Sequence, residues 1–356
     1  MKFYGISIIV KNQMIKKCKK NKDRGFVLIA VLLVISVLVA IIVEFNYESR
    51  MELHLSDNFR NASKALNCAE AGISIAIASL KKNVNLLSDK RFNSLFSGEI
   101  KIPIEEGYCT IVINDESGKI NINTLKASDD KIIRHRVEQM LTLLDLLNYK
   151  YQGGHSVSYS LIPAIIDWVD YDNEVTYLPF VKRENKGAEN NYYMGLIDPY
   201  KCKNAPFETL NELLLVKGMT STIFHGLSDD NELNIEPVEG IRNHLTIYGD
   251  GKVNINTASP IVIQSLSDKM SPSLVKSIIE QRSIKLFESI GQIQSVPGMT
   301  TQVYESIREL ITVKPKNRYY NVTSTGMAGD FMRKVQVVLI SDSSTARIVP
   351  ILRKEL

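Results

Sequence analysis

Cysteine and histidine are scarce in this sequence, and each shortage excludes a class of protein. Four cysteines among 356 residues are too few for a disulfide scaffold. The five histidines are scattered, without metalloprotease spacing, a nucleophile elbow or a phosphate-binding loop around them. With 44% hydrophobic and 23% charged residues, the composition is globular. We therefore predict a globular protein that is not an enzyme.

Charge is nearly balanced over the chain but unevenly distributed along it. The sequence contains 43 Lys and Arg against 39 Asp and Glu, a formal net charge of +4. Residues 1–25 alone hold eight basic side chains and one acid, a net charge of +7, so the remaining chain has a net charge of −3. An acidic remainder disfavours nucleic-acid binding, which depends on cationic surfaces.

An uninterrupted apolar segment follows the basic one. Residues 26–43 contain Ser36 as their only polar residue. As a helix they span about 27 Å, close to the thickness of the hydrocarbon core of a membrane. Because the basic flank lies on the amino side, the positive-inside rule places residues 1–25 in the cytoplasm and the rest across the membrane.

The junction between the two segments has an unusual composition. A charged stretch ends in Gly25, directly before Phe26, and the apolar run continues into Glu44 without a small-residue cleavage site. This resembles the leader of type IV prepilins, which a membrane peptidase cuts after glycine, with methylation of the new amino terminus. A plain signal anchor fits the junction equally well. Met14 offers a second start that shortens the leader.

Proline is absent from Phe26 until Pro103. Residues 44–82 keep apolar positions at helical spacing, which predicts one helix from Phe26 to about Lys82. Such a helix is about 85 Å long, half in lipid and half packed on a soluble domain.

The soluble part contains an internal repeat. The segment Gly118–Thr124 recurs as Gly251–Thr257, and Val216–Thr220 matches Val296–Thr300. The first pair predicts a strand, a turn, a short strand and then a helix. The second pair predicts two helices joined by a glycine hairpin.

The two copies differ in length. Asn121 and Gly218 are 97 residues apart, whereas Asn254 and Gly298 are 44 apart, so the first copy carries 53 additional residues. We place this insert between about 150 and 205, where helical periodicity is lost. A structureless loop of that length is uncommon unless it is functional.

The insert is rich in oxygen ligands. The runs Asp167–Glu174 and Gly187–Tyr193 alternate carboxylates and amides, without histidine or cysteine. Such donors suit calcium rather than zinc. The alternative is an acidic, solvated turn around a buried Trp168, since the spacing is not that of an EF-hand.

In combination these motifs resemble the K-type minor pseudopilin family of the type II secretion system over nearly the whole chain. The motifs are Arg24-Gly25-Phe26, the two Asn-Ile-Asn-Thr elements, Asp167-Trp168-Val169-Asp170, Tyr192-Tyr193, Asp198-Pro199-Tyr200, Ala205-Pro206, Glu212-Leu213 and Val216-Lys217-Gly218.

The resemblance implies an α+β, pilin-like fold. A long amino-terminal transmembrane helix would pack on an antiparallel sheet, interrupted by a large helical domain of two sterile-alpha-motif-like or helix-hairpin-helix-like units. The expected strands are Glu99–Glu105, Tyr108–Asn114, Tyr319–Thr325 and Arg333–Ser341. The expected segments are the cleaved leader 1–25, the transmembrane segment 26–43, core residues 44–117, a first unit 118–229, a second element and unit 230–313, and the carboxy-terminal strands 314–356.

The resemblance also implies sites and partners. Cleavage falls between Gly25 and Phe26, with methylation of Phe26 by the prepilin peptidase. Calcium would bind in the insert, to the ligands Asp170, Asp172, Glu174, Glu189 and Asn190. The protein would be anchored once in the bacterial inner membrane, with its carboxy-terminal domain in the periplasm. Its partners would be the I- and J-type minor pseudopilins, the major pseudopilin and the inner-membrane assembly platform.

The fifth residue after the expected cleavage point is Ala30, where major pilins carry a buried glutamate that pairs with a neighbouring subunit. A subunit at the filament tip has no subunit above it, and an unpaired buried carboxylate is costly. Ala30 therefore fits a tip position, although alanine is also simply a good transmembrane residue.

Several alternatives remain at this stage. A minor pilin of a type IV pilus is the nearest one. A DNA-uptake protein with helix-hairpin-helix motifs shares the Asn-Ile-Asn-Thr element, but the acidic net charge and the single-glycine hairpins Lys217-Gly218-Met219 and Pro297-Gly298-Met299 disfavour it. Among the cysteines that remain after cleavage, Cys68 could face Cys109 or stay a buried thiol, and Cys202 is left over.

Overall fold

The computed structural model describes the backbone of residues 6–83, 98–105, 107–126, 131–150, 156–227, 238–342 and 347–356, and the side chains of these ranges from residue 26 onward. Its helices are α1 Ile6–Asn83, α2 Lys131–Lys150, α3 Leu161–Val169, α4 Asn190–Tyr193, α5 Ser221–His225, α6 Pro260–Ser265, α7 Pro272–Ile284 and α8 Thr301–Ile307. Its strands are β1 Ile100–Ile104, β2 Gly107–Asp115, β3 Ile120–Asn121, β4 Gly226–Leu227, β5 Val238–Glu239, β6 Leu245–Thr246, β7 Val253–Asn254, β8 Ile311–Thr312, β9 Asn317–Ala328, β10 Phe331–Asp342 and β11 Arg347–Glu355.

The helix α1 joins the apolar segment to the globular part of the protein. Residues 26–60 are exposed, and an 18-residue window within Phe26–Lys82 reaches a mean hydropathy of 3.6, so α1 is long and apolar enough to cross a membrane. Beyond this point one face is buried, with Ala65 and Leu80 fully covered. The prediction of one continuous helix over Phe26–Lys82 is confirmed, and the helical backbone begins further upstream, at Ile6.

The buried face of α1 packs on a five-stranded antiparallel sheet with the order β1-β2-β9-β10-β11. All four predicted strands are present, with ends that differ from the prediction by at most three residues. Residues of β9 alternate strictly between buried and half-buried, which explains why its pattern is readable. The edge strand β11 was not predicted, because it contains Pro350 and most of its side chains are exposed.

Small residues allow α1 to lie directly on the sheet. A Cβ atom added to Gly326 on β9 would meet the Ala65 carbonyl oxygen at 2.0 Å, and one added to Gly72 on α1 would meet the Ser324 Oγ at 2.1 Å. Larger side chains at either glycine would therefore push the helix away from the strands. This contact fixes the second half of α1 to the sheet.

The chain leaves the sheet after β2 and returns to it at β9, and the residues between form a helical domain with its own core. A short parallel pairing closes each of two units in this domain, β3 with β6 and β7 with β8. We call residues 118–247 the first unit and residues 253–313 the second unit. The first unit thus extends beyond its expected end at residue 229, because β6 pairs with β3. The sequence repeat therefore corresponds to a repeat in the structure.

An asparagine side chain brackets the backbone of a phenylalanine in each unit. Asn123 accepts a hydrogen bond from the Phe207 amide at 2.7 Å and donates to the Phe207 carbonyl at 3.1 Å. Asn256 makes the same two bonds to Phe287, both at 2.9 Å. These are the second asparagines of the two Asn-Ile-Asn-Thr elements, so the motif fastens the start of each unit to its hairpin region.

Each hairpin begins with a 3-10 segment, Leu210–Leu215 in the first unit and Ile290–Ser295 in the second, and both segments start at a capping box. The glycines that follow have positive φ angles, 85° at Gly218 and 89° at Gly298. The helices α5 and α8 come next. The predicted order of helix, glycine hairpin and helix is therefore correct, except that the first helix of each hairpin is a 3-10 segment.

Candidate metal site in the inserted loop

The insert contains regular structure that the sequence did not predict. Every residue of α3 is buried, so this helix shows no amphipathic period. Trp168 near its end is 2% exposed and packs against Tyr193, with ring centroids 5.3 Å apart, and against Phe207 at 6.3 Å. The insert is therefore organised around a small aromatic core.

Two segments leave this core and bring carboxylates together. Asp170 and Asp172 follow the carboxyl end of α3, and Glu189 directly precedes α4. The Gly187 amide donates to the Thr176 carbonyl at 3.0 Å, which draws the two segments side by side. As a result, one carboxylate oxygen from each of the three acids lies within 4.8 Å of the others.

These carboxylates are poorly compensated. Burial and then the negative charges of Asp172 and Asp167 raise the pKa of Asp170 to about 6. Burial followed by Asp167 and Asp170 raises the pKa of Glu189 to about 7. Asp170 Oδ1 and both carboxylate oxygens of Glu189 are buried without a hydrogen-bond partner. A cation between these groups would remove both the repulsion and the unpaired acceptors.

The donor set fits calcium. All three acids offer hard oxygen ligands, and the group contains no sulfur or nitrogen ligand. Calcium takes six to eight such oxygens and accepts irregular loops, with carbonyl groups or water completing the sphere. Asp170, Asp172 and Glu189 would hold the ion, and the ion would supply the charge that lets the two segments lie together.

The other two predicted ligands, Glu174 and Asn190, make hydrogen bonds next to the three acids. Glu174 is exposed and is not part of the carboxylate group, although its amide donates to Asp172 Oδ1 at 2.8 Å. The side-chain amide of Asn190 donates from its nitrogen to Asn173 Oδ1 at 2.6 Å, and its oxygen accepts from the backbone amide of Cys202 at 2.9 Å. Asn190 therefore ties three loops together around the acids.

Sequence reasoning missed Asp167 and Asn204. Asp167 is fully buried; its Oδ1 accepts from the Thr176 amide at 2.9 Å, and its Oδ2 has no partner. Burial, above all, raises its pKa. Its position three residues before Asp170, and so on the same helical face, was the available signal. Asn204 has a φ of 47° and donates to the Asp172 carbonyl, a role that its sequence does not indicate.

The expected processing site lies at the limit of the described side chains. Phe26 is 74% exposed and Ala30 is exposed on the apolar part of α1. Gly25 and the rest of the leader lie outside the residues whose side chains the structure describes. Cleavage after Gly25 stays a prediction.

Comparison with known families identifies the helical domain. Two models of the type II secretion system protein K match this chain, one over residues 118–229 and the other over residues 253–314. The chain belongs to the type II secretion system protein K family. It is therefore a minor pseudopilin by family, as its motifs predicted.

Curated protein K sequences resemble this chain over most of their length. The type II secretion system protein K of Pseudomonas aeruginosa is 23% identical over 287 residues, which cover 76% of this chain and 75% of that protein. The protein K of Pectobacterium carotovorum subsp. carotovorum is 22% identical over 309 residues, 83% of this chain and 86% of that protein.

A solved structure shares the fold. A chain of the GspK-GspI-GspJ complex from the type 2 secretion system of enterotoxigenic Escherichia coli matches with a TM-score of 0.62 and 16% sequence identity. The match covers 85% of this chain and 99% of that one. The pilin-like α+β architecture with an inserted helical domain is thus the fold of this protein K family member.

Proposed function

We propose that this protein occupies the tip of a type II secretion pseudopilus, where it caps and initiates the filament that supports export of folded proteins across the outer membrane. The main support for this proposal is the arrangement of α1. Its exposed apolar part, residues 26–43, can enter a bundle of pilin helices, while its other half is fixed to the sheet. The bulky helical domain inserted between β2 and β9 would block further stacking above it.

The partners follow from this arrangement. The solved relative assembles with GspI and GspJ, which supports I- and J-type minor pseudopilins as neighbours of this chain. Apolar helices associate in lipid through close side-chain packing, which is the contact that residues 26–43 offer. Below the tip the same surface would meet the major pseudopilin, and the assembly platform would add subunits from the inner membrane.

A single-pass anchor sets the location. The basic leader stays in the cytoplasm, the prepilin peptidase cuts between Gly25 and Phe26 and methylates Phe26, and the globular part lies in the periplasm. The role is structural, since force generation would come from an ATPase elsewhere in the system. Ala30 leaves the tip subunit without the buried acid that major subunits use.

Calcium belongs to this proposal as a structural ion. The close approach of Asp170, Asp172 and Glu189, together with the unpaired buried oxygens of Asp170 and Glu189, supports a bound cation in the insert. An extracytoplasmic ion site of this kind would hold the 53 additional residues in one conformation. The tip would then present a fixed surface.

The proposal is tested by coexpressing the full chain with its I- and J-type neighbours and the prepilin peptidase. We expect a detergent-stable complex in which the chain begins with methyl-phenylalanine at position 26, as measured by mass spectrometry. An intact Met1 or Met14 would contradict the processing, and failure to form a complex with the I- and J-type neighbours would contradict the proposed assembly. Ala30→Glu should still insert into the membrane; if insertion failed, Ala30 would carry no argument about the tip.

A further inference from the structure

The two hairpins differ at the position that reaches the insert. Lys217 in the first unit corresponds to Pro297 in the second, within otherwise matching Val-x-Gly-Met-Thr sequences. The Lys217 ammonium group donates to the carbonyl oxygens of Lys186 and Gly187, each at 3.2 Å. Proline offers no such group, and the second unit has no insert to hold.

The backbone of Lys217 makes a further contact with the insert. Its amide donates to the hydroxyl oxygen of Tyr193 at 3.3 Å. Tyr193 is fully buried between Trp168 and Tyr200, with centroid distances of 5.3 Å to each ring. Proline lacks an amide hydrogen, so the second hairpin could not make this bond either. Lys217 therefore contacts the segments on both sides of Glu189.

The segment that Lys217 grips has little freedom. A Cβ atom at Gly187 would lie 2.1 Å from Asp167 Oδ2, so this backbone passes directly against the buried acid. Glu189 follows two residues later and is 2% exposed. A small shift of the carbonyls at Lys186 and Gly187 would therefore move the Glu189 carboxylate relative to Asp170 and Asp172.

We propose that Lys217 is a positioning residue that clamps the backbone of residues 186–187 and thereby holds Glu189 in the geometry needed to bind the cation. This inference rests on the calcium site proposed above. The two hairpins then have different roles. The hairpin of the first unit supports the ion site through Lys217, and the hairpin of the second unit forms only the shared turn.

A simple charge effect would act in the opposite direction. An ammonium group close to a cation site repels the cation, so its removal alone would tighten calcium binding. A clamp predicts weaker binding after the same removal. The sign of the change therefore separates the two explanations.

The experiment is a calcium titration of the full-length protein in detergent, followed by the fluorescence of Trp168, the single tryptophan of the chain. We expect Lys217→Met, which keeps an apolar stem, to weaken calcium binding roughly tenfold, the usual effect of removing a group that orients a metal ligand. Lys217→Arg should restore most of the affinity because a guanidinium can donate to the same carbonyls. Lys182→Met, an equal change of charge at an exposed lysine of the insert, should bind as the wild type does.

Equal or tighter binding by Lys217→Met would overturn the proposal, as would equal weakening by Lys217→Arg. If the wild-type protein binds no calcium, the metal site itself is wrong, and the clamp is then judged in the metal-free protein by hydrogen exchange. Faster exchange of the amides from Gly187 to Tyr193 in Lys217→Met would support the clamp. Unchanged exchange there would refute it.

Discussion

The first and second units of the helical domain share a frame of hydrogen bonds and differ in the charge they bury. Asn123 and Asn256 bracket equivalent phenylalanines, and Gly218 and Gly298 turn equivalent hairpins. The capping boxes at Thr209 with Glu212 and at Ser289 with Gln292 are equivalent too. The first unit alone contains the insert, in which Asp167 and Glu189 are buried. The comparison teaches that one copy of a repeat can contain a long insert with clustered acids and still close through the same contacts as the other copy.

The two units also differ at the short parallel strand pairs that close them, β3 with β6 and β7 with β8. The Ile120 amide donates to the carbonyl of His244 at 3.0 Å, and the Val253 amide donates to that of Leu310 at 2.8 Å. His244 and Leu310 are therefore equivalent, and both are 1% exposed. The first unit therefore has a histidine at the buried position where the second unit has a leucine.

Removal of calcium should have the largest effect, and it should change the protease sensitivity of the first unit only. With a chelator present, the carboxylates of the insert repel one another and we expect trypsin to cut first at exposed Lys182 and Lys186, several-fold faster than with calcium. The second unit should resist equally in both conditions, as peptide mass mapping would show. Equal sensitivity of residues 253–313 to the chelator would break the comparison.

The pair His244 and Leu310 should produce the next largest effect, through pH. Burial, followed by the charges of Lys150 and Lys119, lowers the pKa of His244 to about 4. Glu239 Oε2 lies 3.7 Å from His244 Nε2, but this carboxylate side chain is 68% exposed, so burial dominates. As the pH falls, His244 takes up a proton in the unfolded chain before it does so in the folded protein. The free energy of unfolding is therefore unaffected by His244 above a pH of about 6.5 and decreases toward pH 4.

We expect His244→Leu to stabilise the protein by up to about 3 kcal/mol at pH 4, with a smaller change at pH 7. Denaturant unfolding at both pH values measures this difference. The reciprocal change Leu310→His should bring the same acid sensitivity to the second unit. A change in stability of His244→Leu that is the same at both pH values would show that the pKa of His244 is equal in the folded and unfolded protein, which would contradict a buried neutral ring.

Removal of either bracketing asparagine should cost a similar amount in both units. Asn123→Ala and Asn256→Ala each leave backbone groups of a phenylalanine without a partner, a loss of about 2 kcal/mol. Calcium should stabilise both variants to the same extent, because an ion that binds only the folded protein stabilises the one core that the two units share. Thermal unfolding without calcium measures the two losses, and a loss several times larger in one variant than in the other would contradict the equivalence of the two brackets.

The hairpin glycines should show the smallest and most symmetrical effect. Both have positive φ angles, and a Cβ atom would meet nothing within 4 Å at Gly218 and only a Leu274 methyl at 3.8 Å at Gly298. Gly218→Ala and Gly298→Ala should therefore each cost about 1 kcal/mol through backbone strain alone. A much larger loss at Gly218 would show that the hairpin supports the insert through its glycine as well as through Lys217.

Sequence patterns predicted the parts of the fold that repeat or alternate. These parts are the apolar run of α1, the alternation in β9 and the duplicated Asn-Ile-Asn-Thr elements. Each is a pattern that can be recognised in a single sequence. The helix α3 carries none, since all its residues are buried, and the edge strand β11 is too exposed to alternate. These two elements were missed for opposite reasons.

The site was predictable in composition but not in geometry. Oxygen-rich runs indicated calcium, and three of the five chosen residues converge. Which acids meet depends on how the segment after α3 pairs with the segment before α4, a contact between residues nearly 20 positions apart that no local pattern encodes. For the same reason the sequence could not show that Glu174, in the same run, lies outside the group of three acids. Nor could it show that Asp167 is buried next to them.

Calcium titration of the full-length protein and of two matched variants tests the central claim most directly. Glu189 is a buried member of the carboxylate group, and Glu174 is an exposed acid outside it. Isothermal calorimetry should show calcium binding to the wild type, its loss in Glu189→Gln and its retention in Glu174→Gln. Absence of binding to the wild type, or an equal loss in both variants, would contradict an ion site built by the insert of the first unit.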